Sequence, residues 1–466
     1  MQRSAWFAVG LLLGVPALLP GQGFGVYEHG TCTMGRAGTA AASPCSDGSA
    51  IFFNPAGLGG LSGTRITAGV TLIAAGGSFT DDATGQKWDL DNPLIPVPNL
   101  YLTHAFTPKL TVGIGAFAPY GLETRWGDRA AFDSVTGTFN ASSDVFPGRF
   151  LGWNSELQAI YVQPTIGYQL HPRVQVGIGV AYIHSKVDLK QRIDLSTRSP
   201  QAGVTFAQLG VPTGTDFAQA HLEADGNGIA VNVGAIFQVN DQLAIGGHYM
   251  SRSTIDYSGT ATFDQVQTGL TLAPNNPLGL PGGTPVDALV ASQFTAGRAL
   301  SDGNATTSIT MPDQFSLGVA WKATERWKVL VDWHMVMWHV FDQLKLDFEN
   351  DSTPTITLNE GYKNTNGVRF GMEFAQSATL TFRGGYLHHQ GAAPAQTVTP
   401  LLPEGARNEL TVGLGWQMSP KLHADFGYQY IRQDDRRGRV FDETVGNTGL
   451  YLFNGHLVGL GLSLTF

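Results

Sequence analysis

The segment HLVGLGLSLTF, residues 456–466, alternates bulky apolar side chains with very small ones. In an extended chain Val458, Leu460, Leu462, Leu464 and Phe466 share one side, and Gly459, Gly461, Ser463 and Thr465 share the other. The pattern recurs in LTVGIGAFA (110–118), VQVGIGVAYIH (174–184), FSLGVAW (315–321) and LTVGLGW (410–416). A period of two over strand length is incompatible with an amphipathic helix, whose apolar residues return every three to four positions. The chain is therefore all-β, and what remains open is which face of each strand looks inward.

The spacing of turn residues answers this. Short turn signals fall at TPK (107–109), HPR (171–173), ND (240–241), ATE (323–325), QSA (376–378) and SPK (419–421). They alternate with long connections over about 81–97, 119–152, 190–220, 260–305, 349–363, 389–406 and 433–449. Six short turns and seven long loops imply about 14 antiparallel strands with both chain ends on the short-turn side. An even strand number, short turns at one rim and long loops at the other describe a transmembrane barrel of the bacterial outer membrane. Phe106, Tyr168, Phe237, Trp321, Trp327 and Trp416 stand beside the short turns, where an interfacial aromatic girdle belongs. The apolar face then meets lipid and the small or polar face lines the lumen. A large secreted all-β protein would also alternate, but the loop rhythm and the rim aromatics would go unexplained. A terminal Phe on an outward-facing strand resembles the signal read by the outer-membrane assembly machinery.

Composition narrows the function classes. Only 14% of the 466 residues are charged, and the net charge of −9 argues against a nucleic-acid partner. Arg3, the apolar stretch from Ala5 to Leu19 and small residues at Gly21 and Gly23 read as a signal peptide over 1–22, cut between 21 and 23. No later run of 18 apolar residues offers a membrane helix. Cys32 and Cys45 fit no zinc motif; a local disulfide and two small buried thiols both stay open. No nucleophile elbow, HExxH, Walker loop or CxxC occurs, and DDATGQKWDLDN (81–92) lacks the EF-hand pattern. His334 and His339 are five apart, so on a strand they face opposite sides. The expectation is a protein without catalytic site, metal or cofactor.

Between the signal and the first strand (about 64–79) lies GFGVYEHGTCTMGRAGTAAASPCSDGSAIFFNPAGLGGL (23–61), which has no period-two alternation. Ser46–Asp47 followed by NPAGL suggests short helical turns. A 14-stranded lumen is too wide for wall side chains alone to fill, so a hatch over 23–62 ahead of a barrel over 63–466 is physically sensible. Gly23, Phe24, Glu28, Gly35, Arg36, Ala37, Gly38, Ala40, Ala41, Asp47, Ser49, Asn54, Pro55 and Ala56 resemble the N-terminus of the FadL family of outer-membrane long-chain fatty-acid transporters, which also includes aromatic-hydrocarbon channels. Segments 147–170, 311–341 and 381–416 look similar too. The resemblance implies a 14-stranded barrel closed by an N-terminal hatch, capture of hydrophobic ligands by extracellular loops, and passive diffusion through a pocket bordered by the mature N-terminus. Fatty acids lead as ligands, with aromatic or aliphatic hydrocarbons and a general porin for polar solutes as alternatives. The cysteine pair and the loop sequences depart from the pattern.

Site expectations follow. Asn54, Pro55 and Ala56, with Gly23, Phe24 and Glu28, are the hatch and gating candidates; before Pro, Asn54 is held extended with its amide free to bond a turn. Trp126, Phe146, Arg149, Phe150, Leu289 and Phe294 are ligand-binding candidates in loops more apolar than solvation requires, with mutual loop packing as the alternative. Arg149 suits a ligand carboxylate, or equally a pairing with Asp144 or Glu156. Strand parity sends Asp332, Arg383 and Asp425 into the lumen, as ion pairs holding wall and hatch together. Lumen faces rich in Gly, Ala, Ser and Thr favour a filled interior over an aqueous pore. The expected partners are hydrophobic small molecules, outer-membrane lipid, lipopolysaccharide and the assembly machinery, with the chain a monomer.

Overall fold

In the computed structural model the last strand pairs with the first: Arg65 lies opposite Thr465, and the ladder runs in register to Asp81 opposite Gly449. Residues 23–126, 145–200, 203–438 and 447–466 are described, with two short strands at Phe132–Asp133 and Thr138–Phe139. The expected signal, residues 1–22, and Asp144 lie outside the described residues.

Among the described residues fourteen strands close the barrel. They are β1 (Thr64–Asp81), β2 (Ile95–Thr107), β3 (Leu110–Arg125), β4 (Asn154–His171), β5 (Val174–Ile193) and β6 (Ala218–Gln238). Next come β7 (Leu243–Met250, continued as Ser253–Gln265) and β8 (Gly303–Met311, continued as Gln314–Lys322). The circuit ends with β9 (Trp327–Val336), β10 (Thr365–Ala375), β11 (Leu380–His389), β12 (Arg407–Gln417), β13 (Leu422–Gln433) and β14 (Gly449–Thr465). All six expected short turns join consecutive strands at one rim. Leu460, Leu462, Leu464 and Phe466 are exposed on the outside, as are all six rim aromatics. The wall is thus apolar outward, as a lipid-facing barrel requires.

The segment from Gly23 to Leu61 folds into the lumen as short pieces: α1 (Thr31–Met34), α2 (Ala50–Phe53) and a 3-10 turn at Pro55–Gly60. Its backbone is met by polar wall side chains. The Tyr101 hydroxyl donates to the His29 carbonyl at 2.6 Å, Gln163 to Ile51 at 2.6 Å and Asn232 to Phe52 at 2.8 Å, while Ala37 N–H donates to Thr411 Oγ1 at 3.0 Å. Such bonds satisfy buried backbone groups that water cannot reach. Small wall residues let the two backbones approach: a Cβ at Gly246 would run into the Ala41 carbonyl, and one at Gly177 into that of Pro55. Cys32 and Cys45 form a disulfide inside this segment.

Two strands depart from their expected limits. The loop expected from residue 119 starts only after Arg125, because β3 continues past a bulge between Phe117 and Tyr120 in its ladder with β4. Conversely β9 ends at Val336, and Trp338–Val340 turns inward with Trp338 fully buried, so His339 lies in a 3-10 turn rather than on a strand. Pro119 and Pro312 mark the two irregular levels; neither can donate to a ladder.

Candidate functional site

The bulge in β3 opens the wall. β2 and β3 pair from the rim only as far as Leu100 opposite Ala116. Beyond that, Ile95–Asn99 stays on β1, whereas β3 turns to the start of the hatch. Val26 N–H donates to the Pro119 carbonyl at 2.9 Å, and Gly121 N–H donates to the Phe24 carbonyl at 3.1 Å. The hatch segment at Phe24–Val26 therefore replaces β2 as the neighbour of β3. Pro96 and Pro98 sit in the released edge, as befits residues that cannot extend a ladder.

Behind this breach lies an inner cavity of about 390 Å³, bordered by Phe24, Phe117, Tyr120, Leu122, Leu157, Leu402 and Phe453. Gly23 and Glu28 also line it. Gly23 N–H donates to Glu404 Oε1 at 3.1 Å, and its carbonyl accepts from Arg407 at 3.0 Å. Glu404 Oε2 further accepts from Ala392 at 2.7 Å and Ala393 at 3.1 Å. Burial pushes the Glu404 carboxyl above the usual carboxylate range, against the pull of Arg407. Phe24 makes edge contacts with Trp338, Phe341 and Tyr120, so this part of the hatch sits in an aromatic nest.

A second, outer cavity of about 800 Å³ lies among the long connections, walled by Leu151, Leu189, Leu195, Phe206, Phe263, Val290 and Leu358. Leu289 lines it, and Phe294 packs on the adjoining cluster around Phe206 and Phe217. Leu401 borders the outer cavity and Leu402 the inner one, so one loop, 390–406, partitions them.

The structure sorts the other sequence candidates. Trp126 stacks on Phe146 at 4.6 Å and donates to the Pro400 carbonyl at 3.0 Å, within the loop roof. Arg149 pairs with Asp216 at 2.8 Å, donates to the Phe146 and Gly214 carbonyls and lies over the Phe150 ring; among the described residues its carboxylate partner is thus Asp216 and not Glu156, while Asp144 lies outside them. Asn54, fully buried, donates to the Ala41 carbonyl at 2.6 Å and to the wall carbonyls of Ala235 and Gly247, and accepts from Ala56 N–H at 3.0 Å. With Pro55 and Ala56 it sits on β5, β6 and β7, away from the inner cavity. Of the lumen charges, Arg383 and Asp425 pair at 2.6 Å, whereas Asp332 accepts from Ala40 and Ala41 at 2.7 and 2.9 Å. Arg36 of the hatch joins the former group through Glu373 at 2.8 Å. Sequence reasoning passed over Glu404, Arg407 and the breach; the prolines at 96, 98 and 119 were the available signal for the last.

Over residues 17–466 the sequence matches the family described as outer membrane protein transport protein (OMPP1/FadL/TodX). A long-chain fatty acid transport protein of Escherichia coli O6:H1 is 22% identical over 447 residues, covering 92% of each chain. Among solved structures, a Pseudomonas aeruginosa FadL homologue superposes with a TM-score of 0.77 at 18% identity, covering 96% of this chain and 100% of the other. The Pseudomonas putida toluene transporter TodX gives 0.68 at 17%, covering 95% and 98%. These likenesses extend over the whole barrel and its hatch.

Proposed function

The chain belongs to the family of outer-membrane transport proteins that takes in OMPP1, FadL and TodX, and from that premise we propose how it moves its hydrophobic cargo. A solute settles in the outer cavity, passes the Leu401–Leu402 partition, enters the inner cavity and leaves sideways through the breach between β2 and β3. The breach carries this reading: it adjoins an apolar cavity at strand level, where a lumen sealed by the hatch gives no straight path. Transfer stays passive, driven by apolar surface leaving water at roughly 25 cal/mol per Å². Gly23, Phe24 and Glu28 form the movable border, and Asn54–Ala56 the fixed anchor of the hatch. The names of the relatives supply two ligand classes, long-chain fatty acids for the E. coli protein and toluene for TodX.

The test is uptake of oleate and toluene by cells lacking their own hydrophobic channel, with a small sugar as polar control. The unaltered protein should admit at least one apolar solute and no sugar. Gly121 lines the inner cavity, and a Cβ there makes only ordinary contacts with Val26 and Leu157. A Gly121→Trp variant should assemble and lose uptake by about tenfold or more, a loss worth about 1.4 kcal/mol in the transfer barrier. Undiminished uptake in that variant sinks the sideways route; sugar uptake by the unaltered protein makes it a polar pore.

A further inference from the structure

We propose that the inner cavity admits uncharged hydrophobic molecules and turns away carboxylates, with Glu404 as the specificity-determining residue. This rests on the uptake reading above and names the substrate class of its inner site. Among the described residues the charged lining consists of Glu28, Glu123, Glu156, Glu404 and Arg407, so four of these five groups are carboxylates. Glu28 and Glu404 are buried. Their oxygens accept from neutral donors: Tyr27 N–H and Gln429 for Glu28, and three backbone N–H groups for Glu404. Neither makes an ion pair among the described residues. Glu123 and Glu156 lie directly opposite each other on β3 and β4 near the breach; Arg125, which is not part of the lining, pairs with Glu123 at 3.3 Å and leaves Glu156 beside it. Arg407 is the single cation in the lining among the described residues, and it already donates to Gly23.

A fatty-acid headgroup entering this space exchanges water for a surface with the wrong sign. An ionised carboxylate taken out of water needs a dedicated cation, and repulsion between like charges strengthens as the dielectric falls. A hydrocarbon or long-chain alcohol carries no such penalty. The outer cavity has the opposite balance, with Lys190 and Arg198 against Asp194. Carboxylates are therefore held outside and passed inward poorly, and neutral molecules traverse both.

Photoreactive analogues of dodecanol and laurate, identical but for the headgroup, can be cross-linked to the purified full chain and the modified residues mapped by mass spectrometry. At about pH 8 laurate is ionised. The dodecanol probe should modify both cavities. The laurate probe should modify the outer one and reach Phe117, Tyr120 or Phe453 at least about tenfold less. Glu404→Gln should raise the ratio of laurate to dodecanol labelling in the inner cavity several-fold. Equal or stronger inner labelling by laurate in the unaltered protein overturns the proposal while leaving hydrophobic uptake standing. No labelling of either cavity by either probe overturns the uptake reading itself. Should Glu404→Gln fail to assemble, the comparison of the two probes on the unaltered chain still decides.

Discussion

Asn54 shows how one buried side chain couples two parts of the molecule. Its amide group reaches the hatch at Ala41 and the wall at Ala235 and Gly247, and its oxygen caps the turn at Ala56. Truncation in Asn54→Ala would take the side-chain donor from the Ala41 carbonyl and the tie to the wall where water does not enter, at a cost of about 1–3 kcal/mol to hatch docking. Amide hydrogen exchange should therefore quicken over residues 50–61 while the β1–β14 ladder stays protected. Unchanged exchange in the hatch would remove Asn54 from the role of anchor. Its contribution was legible because Asn before Pro restricts the backbone locally. The partner of Arg149 was not: Asp216 stands 67 positions away, across two strands and a loop, and local pattern carries no information on that pairing. Glu404 escaped notice for the same reason. Two of its donors, Ala392 and Ala393, lie in its own irregular loop, and the third, Gly23, reaches it only because the hatch enters the barrel.

At the scale of elements, strand parity and rim turns could be read directly, since a lipid-facing wall enforces a strict period of two. What parity does not encode is where a strand leaves its neighbour. β3 remains extended through its bulge, and its residues merely exchange β2 for the hatch segment around Gly25. The hatch is a weaker element than any strand, with helices of four residues each, too short to hold on intrinsic propensity. Its order comes from the wall and from the Cys32–Cys45 disulfide, which closes a loop across a separation of 13 residues and fits an oxidising compartment. Within that loop lie Arg36, Ala37, Ala40 and Ala41, the residues that engage Glu373, Thr411 and Asp332. Replacing both cysteines by serine should weaken hatch docking by about 3 kcal/mol on the loop-closure argument. Limited proteolysis should then cut between residues 33 and 44 in the variant and spare the oxidised parent. Equal resistance would show that the wall contacts suffice.

For the molecule as a whole, the small lumen-facing residues acquire a meaning that the sequence pattern alone left ambiguous. Gly459 and Gly461, in the segment with which the alternation was first met, lie against Thr31 of the hatch. Gly246 meets Ala41 and Gly385 meets Ala37 in the same manner. The inner face is thus a mould for the plug, while the outer face is set by lipid, and a single alternating strand satisfies both. The two requirements are separable because the inter-strand ladder needs only backbone groups. A Gly246→Val substitution adds volume on the lumen side of β7, where strand propensity favours valine. It should leave the barrel assembled, as judged by heat-modifiable migration on gels, yet force the Ala41 region out of its seat. Conductance of purified protein in planar bilayers should then rise well above that of the parent, and small sugars should permeate. If the variant assembles and stays closed, the hatch can re-seat without its glycine contact, and sealing must then rest on the polar anchors at Asp332, Thr411 and Asn54. If it fails to assemble, hatch and wall fold as one cooperative unit, and the plug is then as necessary to the barrel as the barrel is to the plug.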